Sequence, residues 1–477
     1  MDATSNTASQ TLLILGASGD LTARLLLPGL GALLSSGKLN DLHLIGSDVK
    51  DWNTSRWRAQ VAESFEQADA GGGSVDTVLN TTTYLQADVT TPDDWRALLE
   101  ACQGQIFIYF ALPPAISVTA CQVLETVGLP DDTRLMLEKP FGSDADSAAE
   151  LNELVNRLVP EDQVHRIDHF VAMPTVLNVL GVRFTNRMIE PVLNNDHVES
   201  VDIVFDETLT LEGRADFYDA TGALVDMIQS HMLEVLALFA MDPVPSIDTQ
   251  NVRDGKAQVL RSTHIWADDP VTYSRRARYT AGHIGERQVP SYVDEEGIDA
   301  SRNTETLAEL VLAVDTWRWS GVPFRVRSGK ALGAPRTEIT VTFKDPPQVP
   351  DGIAGQPQPD RLRIGIGLEA NELAVDLNIT GPGDPFGIDP VSLTGAFGAG
   401  ELPPYGEIFK SVLLDNSAML TVRGDMVVQC WRIIEPVQQA WQDNLVPLQD
   451  YPAGSEGPTG WPATGLPAKP LQGGTRP

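Results

Sequence analysis

The chain has 477 residues, 42% of them hydrophobic and 21% charged, with a formal net charge of −31 at pH 7. That length exceeds one ordinary core and implies two large domains or one with a big extension. Such acidity argues against nucleic acid or an anionic membrane as a partner. Cys102, Cys121 and Cys430 show no CxxC spacing, so neither a structural zinc site nor a disulfide framework is expected, and the protein reads as reduced and cytoplasmic. The first residues, MDATSNTASQ, are polar, and no run approaches the ~20 apolar residues of a membrane span.

Thr11 to Leu15 is an apolar strand ending in Gly16-Ala17-Ser18-Gly19-Asp20-Leu21, with a helical pattern from Thr22. Strand, glycine turn and helix in that order form a phosphate cradle. Gly16 and Gly19 let the backbone approach a pyrophosphate, while the helix start supplies N–H donors and a positive dipole end. The spacing is GxxG rather than GxGxxG, and a plain tight turn fits it equally well. Leu42 to Ile45 is a second strand ending at Gly46, where a dinucleotide-binding fold reads its ribose. Here stand Asp48, suited to a free 2′-hydroxyl, and Lys50, suited to a 2′-phosphate.

Gln105 to Leu112 is a further strand entering Pro113-Pro114, and Thr133 to Leu137 another entering Glu138-Lys139-Pro140-Phe141-Gly142. Strands alternating with helical stretches over the first ~170 residues predict a doubly wound parallel sheet. In such a sheet ligands bind outside the carboxyl ends of the strands, where Gly16, Gly46, Pro113 and Lys139 all fall. Residues 161–170 follow, packing Arg166, Asp168 and His169 into four positions. Ionisable groups so close are solvated, salt-bridged or at work in a site.

Beyond His169 the pattern predicts a helix-to-strand segment over 174–186, a strand over Val198 to Phe205 and a helix from Ala223 to Met241. Leu224, Met227, Ile228, His231, Val235 and Leu238 form one stripe of that helix, so His231 points inward. At 100° per residue Asp226 falls about 140° away and is not its partner. Segments 258–266, 305–318, 337–344, 361–366 and 373–379 read as strands of a large, mostly antiparallel sheet. The intervening Trp319 to Lys330 reads as a positive patch or a paired turn, 345–360 as a loop, and the tail from Pro452 as pinned or disordered.

Taken in order, GASGDLT, ALPP, EKPFG, HRIDHF, RFTN, EPVLN, EGR, DMIQSH, AMDP, WRWSGVPF, RVRSGKAL, GDMVVQCWRIIEP and YPAGSEGP span nearly the whole chain. Together they resemble the glucose-6-phosphate dehydrogenase family. The resemblance implies an α/β plus α+β protein: a Rossmann-like doubly wound domain over 1–172 and a C-terminal domain with a large antiparallel sheet over 173–477. It also implies oxidation of the C1 hydroxyl of glucose 6-phosphate with NADP, NAD remaining possible, in a homodimer or homotetramer.

By resemblance His231 is the base, and Asp168 orients it and stabilises its imidazolium. Glu207, Asp226 and Lys330 match sugar contacts, His169 a phosphate contact, and Lys139 a position beside cofactor and substrate. Gly16, Ser18, Gly19, Asp20, Leu21, Asp48, Lys50 and Pro113 fall on the cofactor side. The family's RIDHYLGKE stretch reads RIDHFVAMP here, so Phe170 replaces a tyrosine and Met173 the phosphate-binding lysine. Leu25, Ser230 and Val49 likewise stand where a lysine, an asparagine and the arginine for the 2′-phosphate are expected. Two other readings stay open: a dehydrogenase of an unphosphorylated or differently decorated sugar, and a catalytically silent regulatory paralogue.

Overall fold

A computed structural model describes residues 9–212, 215–367, 371–381, 383–398 and 400–461. The chain folds into two compact units. The first comprises residues 1–174 together with 244–254 and 400–429; the second takes the remainder.

The first unit is built on strands β1 (Gln10–Leu15), β2 (Leu42–Asp48), β3 (Thr83–Gln86), β4 (Gln105–Phe110), β5 (Arg134–Glu138) and β6 (Val164–Ile167). All six are parallel, in the order β6-β5-β4-β1-β2-β3. Helices cover both faces, so the strands are apolar along most of their length, as in Leu12 to Leu15 and Ile106 to Phe110, all buried. The chain runs outward from β1 in one direction through β2 and β3, and in the other through β4 to β6. The crevice between β1 and β4 is therefore the switch point of the sheet.

Two features close this unit from far along the sequence. The strand Thr421–Val422 pairs antiparallel with β6, opposite Arg166 and Ile167. The buried guanidinium of Arg166 donates to Glu161 at 2.7 and 3.2 Å, and the same carboxylate accepts the Gly424 amide at 2.9 Å. Asn152 donates to the Gly424 carbonyl at 2.8 Å. The helix Pro404–Phe409 meanwhile lies on the helix Leu27–Ser35, so tightly that a Cβ on Gly29 would stand 2.8 Å from that of Tyr405. Arg166, one of the three clustered ionisable groups, is thus a structural bolt.

The second unit contains a ten-stranded sheet. Its strands in chain order begin with β7 (Val198–Asp206), β8 (Thr263–Ile265) and β9 (Ser274–Thr280). After a small separate hairpin, β10 (Gly282–Ile284) with β11 (Arg287–Val289), come β12 (Leu307–Val314), β13 (Pro323–Gly329) and β14 (Arg336–Phe343). The set continues with β15 (Arg361–Gly365), β16 (Glu372–Thr380) and β17 (Ile388–Ala396), and Leu448–Pro452 adds a last strand beside β9. The order is β17-β16-β15-β14-β7-β13-β12-β9, with β8 on β12. Among the described residues of this sheet, only β7 with β13 and β9 with Leu448–Pro452 run parallel.

One face of this sheet is apolar: Val201 and Ile203, Phe324 and Val326, Ile339 and Val341 are all buried. Trp319 packs edge-on against Phe324, with ring centres 5.3 Å apart, and donates to the Ala240 carbonyl at 2.8 Å. The opposite face carries a charge ladder. Arg325 donates to Asp202 at 2.6 Å and to Glu309 at 3.3 Å, and Arg327 to Asp206 at 3.1 Å. All five side chains are buried.

Several expectations are corrected here. The stretch 323–329 is a central strand, so Arg325 and Arg327 form neither a surface patch nor a turn. Residues 249–261 are helical and only 263–265 form a strand; 174–186 contains the helix Pro174–Phe184 and no strand. The short stretch Ala257-Gln258-Val259-Leu260 does not distinguish the two forms by periodicity. Strand β2 runs on through Gly46 to Asp48. The segment Leu224–Met232 is a π-helix leading into the α-helix Leu233–Ala240, with Leu233 N–H donating to the Ile228 carbonyl. Since π geometry joins residues five apart, Asp226 and His231 lie one turn from each other, and the 140° argument against their proximity fails. Gly454 and Ser455 pin the tail through backbone bonds to Ala331 and Gly333. Gly213, Arg214 and the tail from 462 lie outside the described residues.

Candidate active site

In the first unit the expected site residues gather at the carboxyl ends of the strands. Gly16 follows β1 with φ +81°, and a Cβ there would lie 2.1 Å from the Ala111 carbonyl oxygen beyond β4. Only glycine allows this approach at the switch point. The first helical bond runs from Ala23 N–H to the Gly19 carbonyl, which leaves the amides just before it as donors for an anion. Asp48, ending β2, is engaged within the protein: one oxygen accepts from Ser18 Oγ at 2.7 Å and Ser18 N–H at 3.2 Å, the other from Val49 N–H at 2.7 Å. Asp20 is exposed beside Arg24, and Lys50 is exposed as well. Pro113 begins the helix Pro114–Val127 after β4. The glycine cradle and the β2 carboxylate fit a dinucleotide.

Lys139 follows β5 through a cis bond to Pro140. Its neighbour Glu138, which the sequence did not single out, lies half-buried at the strand end and accepts from the hydroxyls of Tyr109, on β4, and Tyr405, at 3.2 Å from the latter. Burial pushes this carboxyl up to about 7, against the two tyrosine bonds and the Lys139 charge that hold it down. Tyr405 also stacks on His169, with rings 5.8 Å apart and 18° from parallel. Asp168 is buried, and one of its oxygens accepts the Phe170 amide at 3.0 Å. No sequence signal pointed to Tyr405, because only the packing of 404–409 on the first helix brings it here.

In the second unit β7 and β13 are parallel neighbours, with Asp206 opposite Gly329. Their carboxyl ends deliver Glu207 and Lys330 side by side, the ammonium donating to the carboxylate at 2.8 Å. Lys330 also lies over the ring of Tyr218, 5.4 Å from its centre. Burial pushes the Tyr218 phenol well above its ordinary range, and the charges of Asp226, Glu305 and Glu207 add to the effect. Asp226 and His231 are buried on the π-helical segment. A carboxylate pair, a cation and a histidine on rigid elements can hold a polyol and move a proton.

The departures from the family pattern differ in exposure. Phe170 and Met173 are buried, while Leu25 and Val49 are 46% and 60% exposed. Arg325, a cation of the stretch expected to form a positive patch or a paired turn, is held inside the second sheet by Asp202 and Glu309.

Comparison with known proteins agrees across both units. Family models described as "Glucose-6-phosphate dehydrogenase, NAD binding domain" and "Glucose-6-phosphate dehydrogenase, C-terminal domain" match residues 13–178 and 180–464. The glucose-6-phosphate 1-dehydrogenase of Zymomonas mobilis is 34% identical over 95% of this chain and 96% of its own length. That of Gluconobacter oxydans is 35% identical over 93% and 94%. Among solved structures, a glucose-6-phosphate dehydrogenase in complex with its substrate glucose-6-phosphate superposes with a TM-score of 0.84 at 26% identity, covering 95% of this chain and 96% of that one. The glucose-6-phosphate 1-dehydrogenase from Mycobacterium avium gives 0.81 at 27%, over 94% and 96%.

Proposed function

The chain belongs to the glucose-6-phosphate dehydrogenase family, and from that premise we propose how its own residues carry the reaction. The enzyme oxidises the C1 hydroxyl of glucose 6-phosphate to 6-phosphoglucono-lactone. His231 takes the hydroxyl proton, and Asp168 orients the ring and stabilises the imidazolium that forms. Glu207, Asp226 and Lys330 hold the sugar hydroxyls, and His169 meets the phosphate. A nicotinamide cofactor, when bound, accepts the hydride from C1. Gly16, Ser18, Gly19, Asp20, Leu21 and Pro113 cradle it, and Lys139 lies beside cofactor and substrate. The observation that carries the sugar site is the Glu207–Lys330 pair, presented by two parallel strands over Tyr218.

The cofactor is NADP with NAD also used. Asp48 supports this reading, because a carboxylate tied to Ser18 at the end of β2 favours a free ribose hydroxyl and repels a 2′-phosphate. Val49 offers no arginine fork, and Lys50 is the nearby cation that can keep some NADP preference. The protein is cytoplasmic, in keeping with its three free cysteines. It forms a homodimer or homotetramer through the second sheet, whose outer strands β16 and β17 expose Ile379 and Leu393. A steady-state comparison of glucose 6-phosphate with glucose, each with NADP and NAD, tests the whole assignment. Efficient turnover of glucose with no gain from its phosphate would overturn it.

A further inference from the structure

The helix carrying Asp226 and His231 begins without a capping side chain of its own. Its start is held from outside by Glu305, on the approach to β12. Leu224 N–H donates to Glu305 Oε1 at 2.9 Å, and Ala223 N–H to the Glu305 carbonyl at 3.2 Å. Gly222 turns the chain just before with φ +63°, and a Cβ on it would stand 2.3 Å from Glu305 Oε1. The carboxylate thus fills the space that any other residue at 222 would occupy.

The neighbouring residue extends the same grip. Lys330 N–H donates to the Thr306 carbonyl at 2.9 Å, and the Tyr451 hydroxyl bonds both Thr306 Oγ1, at 2.8 Å, and the Lys330 carbonyl, at 2.6 Å. Glu305-Thr306 is therefore one short segment fastened to the start of the His231 helix and to the Lys330 loop.

We propose that Glu305 is a positioning residue for the dehydrogenase reaction: it fixes the first turn of the helix and thereby the placement of Asp226 and His231. The inference rests on His231 being the base. A carboxylate at this end also complements the helix dipole. Burial pushes the Glu305 carboxyl up to about 7, while the Leu224 amide, its own amide and Arg276 from β9 hold it down. The hydrogen-bond acceptor is present in either protonation state, so the amide of glutamine is a fair replacement.

The test compares Glu305→Ala, Glu305→Gln and Gly222→Ala with His231→Asn, using glucose 6-phosphate and its C1-deuterated form. Misplacing a reacting group by about 1 Å costs up to ~10² in rate. Glu305→Ala is expected to lower kcat by roughly 10- to 100-fold. It should leave KM for the cofactor within about twofold, a factor of only ~0.4 kcal/mol, and raise the deuterium isotope effect as the chemical step becomes slower. Gly222→Ala, which drives a methyl into the carboxylate, should reproduce this, and Glu305→Gln should retain most of the activity. Wild-type kcat in Glu305→Ala overturns the proposal. So does an equal loss in Glu305→Gln with an unmoved isotope effect, which marks general loosening. If Glu305→Ala does not fold, the contrast between Gly222→Ala and Glu305→Gln decides in its place. Activity surviving in His231→Asn sinks the base assignment itself; an inactive His231→Asn beside a normal Glu305→Ala sinks only the positioning role.

Discussion

The two sheets of this enzyme store their charges in opposite places. In the parallel sheet of the first unit the central strands β1 and β4 are apolar from Leu12 to Leu15 and from Ile106 to Phe110, the buried His165 and Arg166 lie on the outer strand β6, and Gly16, Asp48, Pro113 and Lys139 all stand at or just past a carboxyl end. In the second sheet Asp202, Glu309, Arg325 and Arg327 sit in mid-strand and Asp206 at the end of β7, all buried and paired across neighbours. A central strand covered on both faces leaves little room for charge except at its ends, and the ends become a site. A sheet with one polar face spends its cations on its own carboxylates. Charge density in a sequence is thus a guide to chemistry in the first case and to architecture in the second.

Breaking the comparison at the chemistry should have the largest effect. His231→Asn is expected to lower kcat by ~10²–10⁴ with cofactor binding nearly intact, and Asp168→Asn by less, because the base remains. Steady-state rates and cofactor titration check both, and more than a third of wild-type kcat in His231→Asn would rule out the base role. Breaking the ladder should hurt folding and spare chemistry. Arg325→Met leaves Asp202 and Glu309 buried without their cation, at a cost of roughly 3–5 kcal/mol. Replacing all three by apolar residues of similar volume should restore most of that. Urea unfolding separates the outcomes, and an Arg325→Met protein as stable as its parent would refute the ladder's role.

A buried histidine inside the first sheet sharpens the contrast further. His165, on β6, has no hydrogen-bond partner on either ring nitrogen among the described residues. Burial, followed by the charges of Arg134, Arg253 and Arg166, lowers its pKa from 6.5 to about 3. Below pH 6.5 the unfolded chain binds a proton that the folded one refuses. Stability is therefore flat in this respect above pH 6.5 and falls by about 1.4 kcal/mol per unit beneath it, until the folded pKa is reached. Urea unfolding at pH 5 and 7.5 should reveal a loss of about 2 kcal/mol from this group, absent in His165→Leu. An identical pH dependence in the variant would assign the loss elsewhere.

An effect smaller than that at the base concerns the phosphate grip. Met173→Lys restores a cation where the family has one, and a charge-assisted phosphate bond is worth roughly 1.5–3 kcal/mol. KM for glucose 6-phosphate should fall by about tenfold or more, while KM for glucose stays put. A micromolar KM in the parent protein would mean that other groups already hold the phosphate.

Much of the first unit was legible because its strands are short apolar runs closed by glycine, proline or charge, which translate directly into a parallel sheet and its ends. The inward face of His231 was legible from the 3–4–7 spacing of Leu224, Met227 and Ile228. The relation of Asp226 to His231 was not, since period-3.6 reasoning carries no sign of a π segment. Phe324-Arg325-Val326-Arg327 does alternate with period two, yet its cations drew attention away from the strand. Tyr405 and Glu305 were beyond reach: each acts through a contact with a segment more than 80 residues away, and neither lies in a recognisable spacing.

The bolt formed by Arg166, Glu161 and Gly424 has a bearing on how the protein is made. The dinucleotide-binding half cannot complete its sheet edge, or cover Gly29, until residues 400–429 have left the ribosome. At roughly 5–20 residues per second, those residues emerge some tens of seconds after Pro174. During that interval β6 is an open edge beside a half-covered helix, the kind of surface that nascent-chain chaperones protect. The N-terminal half alone is accordingly a poor expression fragment, and one that carries 400–429 on a short linker is the smaller piece with a chance of standing by itself.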